Sequence, residues 1–511
     1  MGAPPTDQLL TALDEKCPPP SGTTSTNTTV DNVNTIFNRS VEPPAGSDIK
    51  PTTTTGDPHT AAHNSPRNGA RPTSKRSKLP FLIFITLTQL VQTIPLGAGI
   101  NSGLAIGASL GASPVASVWV VASYPLTQGT FVLIGGRLGE IYGHKAILTA
   151  GRKRRNLGMA LFGAMAPVGA AGGSLVAAVI VQLLHWKWLF FLLGLLGSVV
   201  YGVAIASVPA DEPVDPKGRV DYGGAYLGVG GLILFNFVWN QAPIVGWDTP
   251  YIISLIIISI LHSVLFCYWE TRVANEPILP FNIWNAPSFG ILIIIIFFSF
   301  MSMGIYFWYM DIYMQTIPGD SLIQTGVQYL PLTIGGTINS FFAAWLVPRV
   351  PAQVIIGAGC LATVTINVLL ATIPADLTYW AMAFPAMLLS AFTIDLVTTS
   401  AQIITSNTVP MKHQGAAGSL VGTLLAYGMS TGLGFAGTVE VNTFEDGTSL
   451  LRGYHSAAYL AVGMSGFALL LCCFIRIPKD TREGWAEDDE SCCGKGTSLT
   501  LSLCEGIAVV I

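Results

Sequence analysis

Residues 287–308 read PSFGILIIIIFFSFMSMGIYFW, 22 residues without a charged side chain. Wound as an α-helix, such a stretch is about 33 Å long, enough to cross the hydrocarbon core of a bilayer. Runs of this kind recur along the chain, at roughly 81–101, 118–136, 157–181, 187–207, 222–241, 251–269, 323–346, 353–373, 379–400, 415–437 and 455–475. That makes twelve, and the composition agrees: of 511 residues, 50% are apolar and 11% charged. A soluble chain carries about 25% charged residues. The pattern excludes a soluble enzyme, a nucleic-acid binder and a fibrous protein. It predicts an all-α polytopic membrane protein.

The loop charges orient the runs. With residue 78 inside, predicted cytosolic loops hold Lys145, Arg152, Lys153, Arg154, Arg155, Lys217, Arg219, Arg272, Arg349 and Lys412, and the C-terminal flank adds Arg476, Lys479 and Arg482. Predicted outside segments hold Lys187 and Arg452 with the acids Asp248, Asp376, Glu440, Glu445 and Asp446. Cations stay on the cytosolic side of spanning segments, so both termini are expected in the cytosol.

Residues 1–78 are rich in Thr, Pro, Asn and Ser and end in the basic cluster Arg67, Arg71, Lys75, Arg76 and Lys78. Such a composition cannot bury enough apolar surface to offset its ordering entropy. The stretch reads as a disordered cytosolic tail without a cleavable signal, so the sequons at Asn27 and Asn38 are not expected to be glycosylated. The eight cysteines show no metal-binding spacing and no disulfide framework.

Gly136–Gly151 (GRLGEIYGHKAILTAG) aligns with Ala344–Gly359 (AWLVPRVPAQVIIGAG): Leu138 meets Leu346, Ile147 meets Ile355, and Ala150-Gly151 meets Ala358-Gly359. Both stretches follow the second run of a set, and half-repeats of this kind are a known transporter plan. After Gly359 the second copy holds two apolar runs before its Gly-rich helix; after Gly151 the first passes straight to Arg152-Lys153-Arg154-Arg155. Two helices are therefore expected to be absent between Gly151 and Arg152. Loss of an even number leaves the later topology unchanged.

The segment Gly136-Arg137-Leu138-Gly139-Glu140-Ile141-Tyr142-Gly143-His144-Lys145 resembles the loop signature of the major facilitator superfamily. Gly136 and Gly143 permit a tight turn and close helix approach, Glu140 can accept a charge-assisted bond from an arginine, and His144 and Lys145 anchor the cytosolic face. Leu138 completes the signature. The stretch Gly163–Gly173 (GAMAPVGAAGG), with Gly163, Pro167, Gly169, Gly172 and Gly173, looks like the antiporter signature of the superfamily's exporters. Its small residues let another helix pack at backbone distance, and Pro167 bends the helix. The segments Ser406–Pro410, His413–Leu420, Gly432–Glu440 and Leu450–Tyr454 are similar to fungal drug:proton antiporters of the fourteen-helix, aminotriazole-resistance type.

That resemblance covers about residues 80–485. It implies the major facilitator fold, two helical bundles joined by two central helices, with twelve spans of the fourteen expected. The division is then a tail at 1–78, a four-span bundle at 79–208, the central pair at 209–272, a six-helix bundle at 273–478 and a cytosolic tail at 479–511. The absent pair would be the family's helices three and four. The family's arginine motif of helix four has no equivalent here, and Gln89 and Gln92 stand where helix one normally carries its acidic motif.

Ionisable groups within spans default to functional hypotheses. Asp395, in the middle of Leu388–Ser400, is the candidate proton-coupling group. Asp311, nearer an outer end, reads as interfacial. Gln89 and Gln92 share a helix face and, with Tyr124, Gln128, Gln328 and Gln402, are candidates to line an amphipathic cavity. There is no phosphate-binding loop with Lys-Ser/Thr to support ATP drive, and no metal, cofactor or nucleophile constellation. The expected activity is secondary, proton-coupled export of small amphipathic organic compounds such as drugs, toxins or fungal secondary metabolites, by a monomer in the plasma membrane or the vacuolar membrane. The partners are the solute, protons and the bilayer, with no nucleic acid. The alternative is a truncated or mis-spliced form that does not transport.

Overall fold

The computed structural model describes residues 75–142, 152–207, 218–347, 349–409, 413–443 and 450–475. Side chains are described from residue 86 onward, and not for 138–142, 152–162, 204–207 and 281–282. Thirteen α-helices run α1 Lys75–Ser109, α2 Val118–Tyr142, α3 Arg152–Leu183, α4 Trp186–Ser207, α5 Tyr222–Val245, α6 Pro250–Arg272, α7 Phe289–Thr316, α8 Leu322–Gln328, α9 Leu330–Leu346, α10 Ala352–Ala371, α11 Ala383–Thr408, α12 Gln414–Thr443 and α13 Leu450–Cys472. The described residues contain no strand.

Each of the twelve expected runs falls on helix, with two corrections. The run at 323–346 is two helices, α8 and α9, broken at Tyr329. Pro331 lacks an N–H and crowds the preceding turn, so the break sits just ahead of it. Second, α11 begins at Ala383 rather than 379 and continues to Thr408, because Ser, Thr and Asn in its last turns end the apolar signal without ending the helix. Among the described residues, ten helices are long and apolar enough to cross a membrane. Of the other two long helices, α9 is left with 17 residues after the break, and α1 has its side chains described only from residue 86.

Burial ranks the helices. In α12 and α7, 78% and 72% of the spanning window is buried, against 11% in α4 and α6. The first pair forms the core, and the second pair presents Leu, Ile, Val and Phe outward. α7 packs against α10, α12 and α13; α12 also packs against α2 and α5; α1 packs against α3.

Two of these contacts bring backbones together. A Cβ on Gly97 of α1 would overlap the carbonyl of Ala170 on α3, and one on Gly173 of α3 would overlap the carbonyl of Ile94. α7 and α12 repeat the arrangement, with Gly304 against Met429 and Gly432 against the carbonyl of Met301. Between membrane helices such fit substitutes for the missing hydrophobic drive.

A prediction follows for α1 and α3. Gly97→Val should destabilise the detergent-solubilised protein by about 1–3 kcal/mol through overpacking, read as a lower melting temperature. Gly135→Val, at a position with open space around it, should leave the melting temperature unchanged.

Candidate functional site

Asp395 lies midway along α11 and is 8% exposed. Its partners come from α9: Asn339 Nδ2 donates to Oδ2 at 3.3 Å and Ser340 Oγ donates at 3.1 Å. Ser340 Oγ also lies 2.9 Å from the carbonyl of Gly336. A hydroxyl has one hydrogen to give, so Ser340 serves the carboxylate or the carbonyl. A protonated Asp395 can itself donate to Ser340 and release that hydrogen to Gly336.

The other side of α9 meets α3. Pro167 is buried where a Cβ on Gly336 would stand 2.5 Å away, and Gly163 faces Ser340. The Gly-rich stretch of α3 is therefore split in use. Pro167 and Gly163 meet α9, while Gly169 and Gly173 receive α1, with Gly169 against Thr93 and Leu90. Gly172 is exposed with open space beyond it. Asp395 and the α3–α9 seam are joined through Ser340 and Gly336, one helix apart.

A second seam runs between α2 and α12. Ser430 Oγ donates to the carbonyl of Ala122 at 2.8 Å near one end, and Gly136 is buried against Ser419 and Gly415 near the other. From Ala122 to Gly136 the seam spans about 21 Å of helix. Of the loop signature, Leu138 and Glu140 fall in the last turns of α2, where side chains are not described, and Gly143, His144 and Lys145 lie outside the described residues. Arg137 carries the visible latch: its Nη2 meets Glu276 Oε2 at 2.9 Å. Glu276 also accepts the backbone N–H of Arg219, just before α5. One carboxylate thus ties the end of α2 to the segment between α6 and α7. The same segment is held from the other side by Glu270, which accepts from the N–H groups of Ile278 and Leu279 at 3.3 and 3.2 Å.

The opposite end of α7 is closed by amides. Asn101 Nδ2 on α1 donates to the carbonyls of Ser174 on α3 and Leu322 on α8 at 3.1 and 3.2 Å. Gln315 Nε2 on α7 donates to the carbonyl of Asn101 at 2.9 Å and to Asp311 Oδ2 at 2.6 Å. Asp311 is therefore not interfacial: it is fully buried, and its Oδ1 has no hydrogen-bond partner. The correction has a plain cause. α7 is enclosed by neighbours up to Met314, so nearness to its end does not bring Asp311 to a surface. Gln328 belongs to this end as well, donating to Asp320 at 2.7 Å and accepting at its carbonyl from the Tyr379 hydroxyl at 2.7 Å. Burial pushes the Tyr379 hydroxyl up to about 12, so it remains a donor across the physiological pH range.

The remaining cavity candidates only partly converge. Tyr124 on α2 donates to the carbonyl of Gln92 on α1, and the side-chain oxygens of Gln89 and Gln92 are buried without partners. Gln128 on α2 and Gln402 on α11 are half-buried. Gln328, tied to Asp320, does not join Gln89 and Gln92. A polar knot absent from the sequence reading lies between α5 and α12. Asn236 Nδ2 donates to Thr431 Oγ1 at 3.0 Å, Asn240 Nδ2 donates to Asn236 Oδ1 at 3.0 Å, and Ser430 Oγ lies 2.9 Å from that same oxygen, a second acceptor for the one hydrogen it can give to Ala122. Two Asn side chains one helical turn apart within an apolar run were the available signal. Among the described residues, no group of three or more His, Cys, Asp or Glu could hold a metal ion.

The family model described as Major Facilitator Superfamily matches residues 148–433. The chain is similar to the low affinity ammonium transporter of Saccharomyces cerevisiae, 31% identical over 78% of this chain and 89% of that one. It is similar to an efflux pump of Aspergillus terreus, 30% identical over 80% and 89% of the two chains. It is also similar to the aminotriazole resistance protein of Saccharomyces cerevisiae, 31% identical over 71% and 77%.

The closed end at Asn101 can be tested directly. Asn101→Leu removes the side-chain amide from the carbonyls of Ser174 and Leu322, an expected cost of about 1–3 kcal/mol. The melting temperature in detergent should fall, and Asn442→Leu, at an exposed amide, should not change it.

Proposed function

The chain belongs to the major facilitator superfamily, a family of membrane transporters and not of enzymes, and we propose that it is a proton-coupled exporter of small amphipathic organic compounds. The observation that carries this reading is the placement of Asp395 beside the α3–α9 seam, linked to it through Ser340 and Gly336. In the proposed cycle, α1–α4 and α7–α13 are the two moving bodies and α5–α6 the pair between them. Proton loss or gain at Asp395 redirects the Ser340 hydroxyl between the carboxylate and the Gly336 carbonyl. That bond sits against Pro167, so the proton state biases how α9 meets α3. Efflux and resistance among the relatives support the outward direction. In this reading the loop charges keep the Phe289 end of α7 and both termini on the cytosolic side, in the plasma membrane or the vacuolar membrane. The cavity wall would be built around Gln89, Gln92 and Tyr124.

We take the chain to lack the family's third and fourth helices between Gly151 and Arg152. Sequencing the transcript across those codons should show whether an apolar helical pair has been skipped. The ammonium-transporting relative supplies a second reading, inward movement of ammonium.

Accumulation in cells separates these readings. Cells expressing the chain should retain less of a panel of fluorescent amphipathic cations and anions, and of aminotriazole, than empty-vector cells, and a protonophore should remove the difference. Asp395→Asn, at equal surface abundance, should lower gradient-driven export by at least about tenfold, the scale on which removing one essential proton carrier acts. Retention equal to the vector control excludes export, and faster methylammonium uptake would favour the second reading.

A further inference from the structure

Cys360 of α10 and Cys472, the last residue of α13, are 112 residues apart in sequence, yet their sulfurs lie 3.6 Å from each other. Both are free thiols. Cys360 is fully buried, Cys472 is half-buried, and Cys473 beside it is exposed. The helices around the pair are held in register on both sides of it. Toward the start of α10, Gln353 Nε2 donates to the carbonyl of Ile475 at 3.3 Å. Toward its end, Asn367 Nδ2 donates at 2.8 Å to Ser302 Oγ of α7, which donates at 2.9 Å to the carbonyl of Ala461 on α13. Along α10 these two ties stand about 10 Å before and after Cys360. The two sulfurs are thus kept in contact by bonds in which neither takes part.

A disulfide needs its sulfurs at about 2.05 Å, and rotation about the single χ1 of each cysteine is the motion that brings them in. Ser299 Oγ of α7, 3.6 Å from Cys360 Sγ, is placed to donate to that sulfur as it attacks. We propose that Cys360 and Cys472 are an oxidation-responsive dithiol, which hydrogen peroxide closes into a disulfide that staples α10 to α13. Peroxide gives one oxygen to the more accessible thiol, Cys472, forming a sulfenic acid and one water. The Cys360 sulfur then attacks the sulfenic sulfur. The S–S bond forms, the S–O bond breaks, and the hydroxyl leaves as a second water with the Cys360 proton. Two thiols have lost two hydrogens and one peroxide has become two waters. A small dithiol reverses the reaction by exchange, so the pair rests as thiols in a reducing compartment. None of this depends on whether the chain exports anything.

The test uses the full chain in detergent, reduced, desalted and treated with hydrogen peroxide. Remaining thiols are then alkylated with N-ethylmaleimide under denaturing conditions, and the protein is digested without reduction. Mass spectrometry should find the Cys360 and Cys472 peptides joined, and dithiothreitol should separate them. Cys473→Ser should leave the yield unchanged. Cys360→Ala should replace the cross-link by a sulfenic acid at Cys472 that dimedone captures. Closing so long a loop should raise the melting temperature of the peroxide-treated protein by about 2–4 °C, a shift that Cys472→Ala should abolish. The cross-link in the unsubstituted chain is read without any variant having to fold. If peroxide oxidises Cys473 or joins it to Cys472 while Cys360 stays fully alkylated, the proposal fails. Joined Cys360 and Cys472 peptides without a higher melting temperature would refute the staple.

Discussion

Inside hydrocarbon every backbone N–H and C=O must be satisfied within its own helix. Nothing of the backbone is then left to join one helix to another, and lipid tails remove the hydrophobic drive for association. What remains is shape and a small number of side-chain hydrogen bonds. This chain uses both. Glycines seat α1 on α3 and α7 on α12 at backbone distance, while Asn101, Asn236, Asn240 and Ser430 carry bonds between helices.

The two ends of the molecule are fastened by different chemistry. At the Phe289 end of α7 the fastening is ionic, Arg137 to Glu276, and partly exposed to solvent, with side chains 13% and 37% accessible. Salt screens such a pair and water competes for it. At the Thr316 end it is buried, the Gln315 amide donating to the backbone carbonyl of Asn101 and to the Asp311 carboxyl group. Its burial shields it from salt, but it loses more when one member is removed. Between them, Ser340 offers one hydrogen to two acceptors, the Asp395 carboxylate and the Gly336 carbonyl.

How much of this could be read from the residues depended on the length of the signal. Runs of 20 apolar residues announce themselves, and all twelve fell on helix. The break at Tyr329 was marked by Pro331 but masked by apolar residues on both sides. Asp395 could be singled out because an acid within a run is rare. Its partners Asn339 and Ser340 could not, since they sit on a helix 55 residues away in sequence. The same distance hid Glu276 from Arg137, although the loop signature pointed to an ion pair in that region. Asp311 was misplaced because position along a helix says nothing about which neighbours surround it.

The central claim is that these contacts part and re-form while the helices stay intact. Gln182 Oε1 accepts the N–H of Ile323 at 3.1 Å across the Thr316 end, so the two positions touch in the closed form. Spin labels at 182 and 323, with the eight native cysteines replaced by Ser, report that separation by double electron–electron resonance in liposomes. The account predicts a short and a longer population whose ratio changes when the transmembrane proton gradient is reversed. A single short distance under both gradients would contradict it.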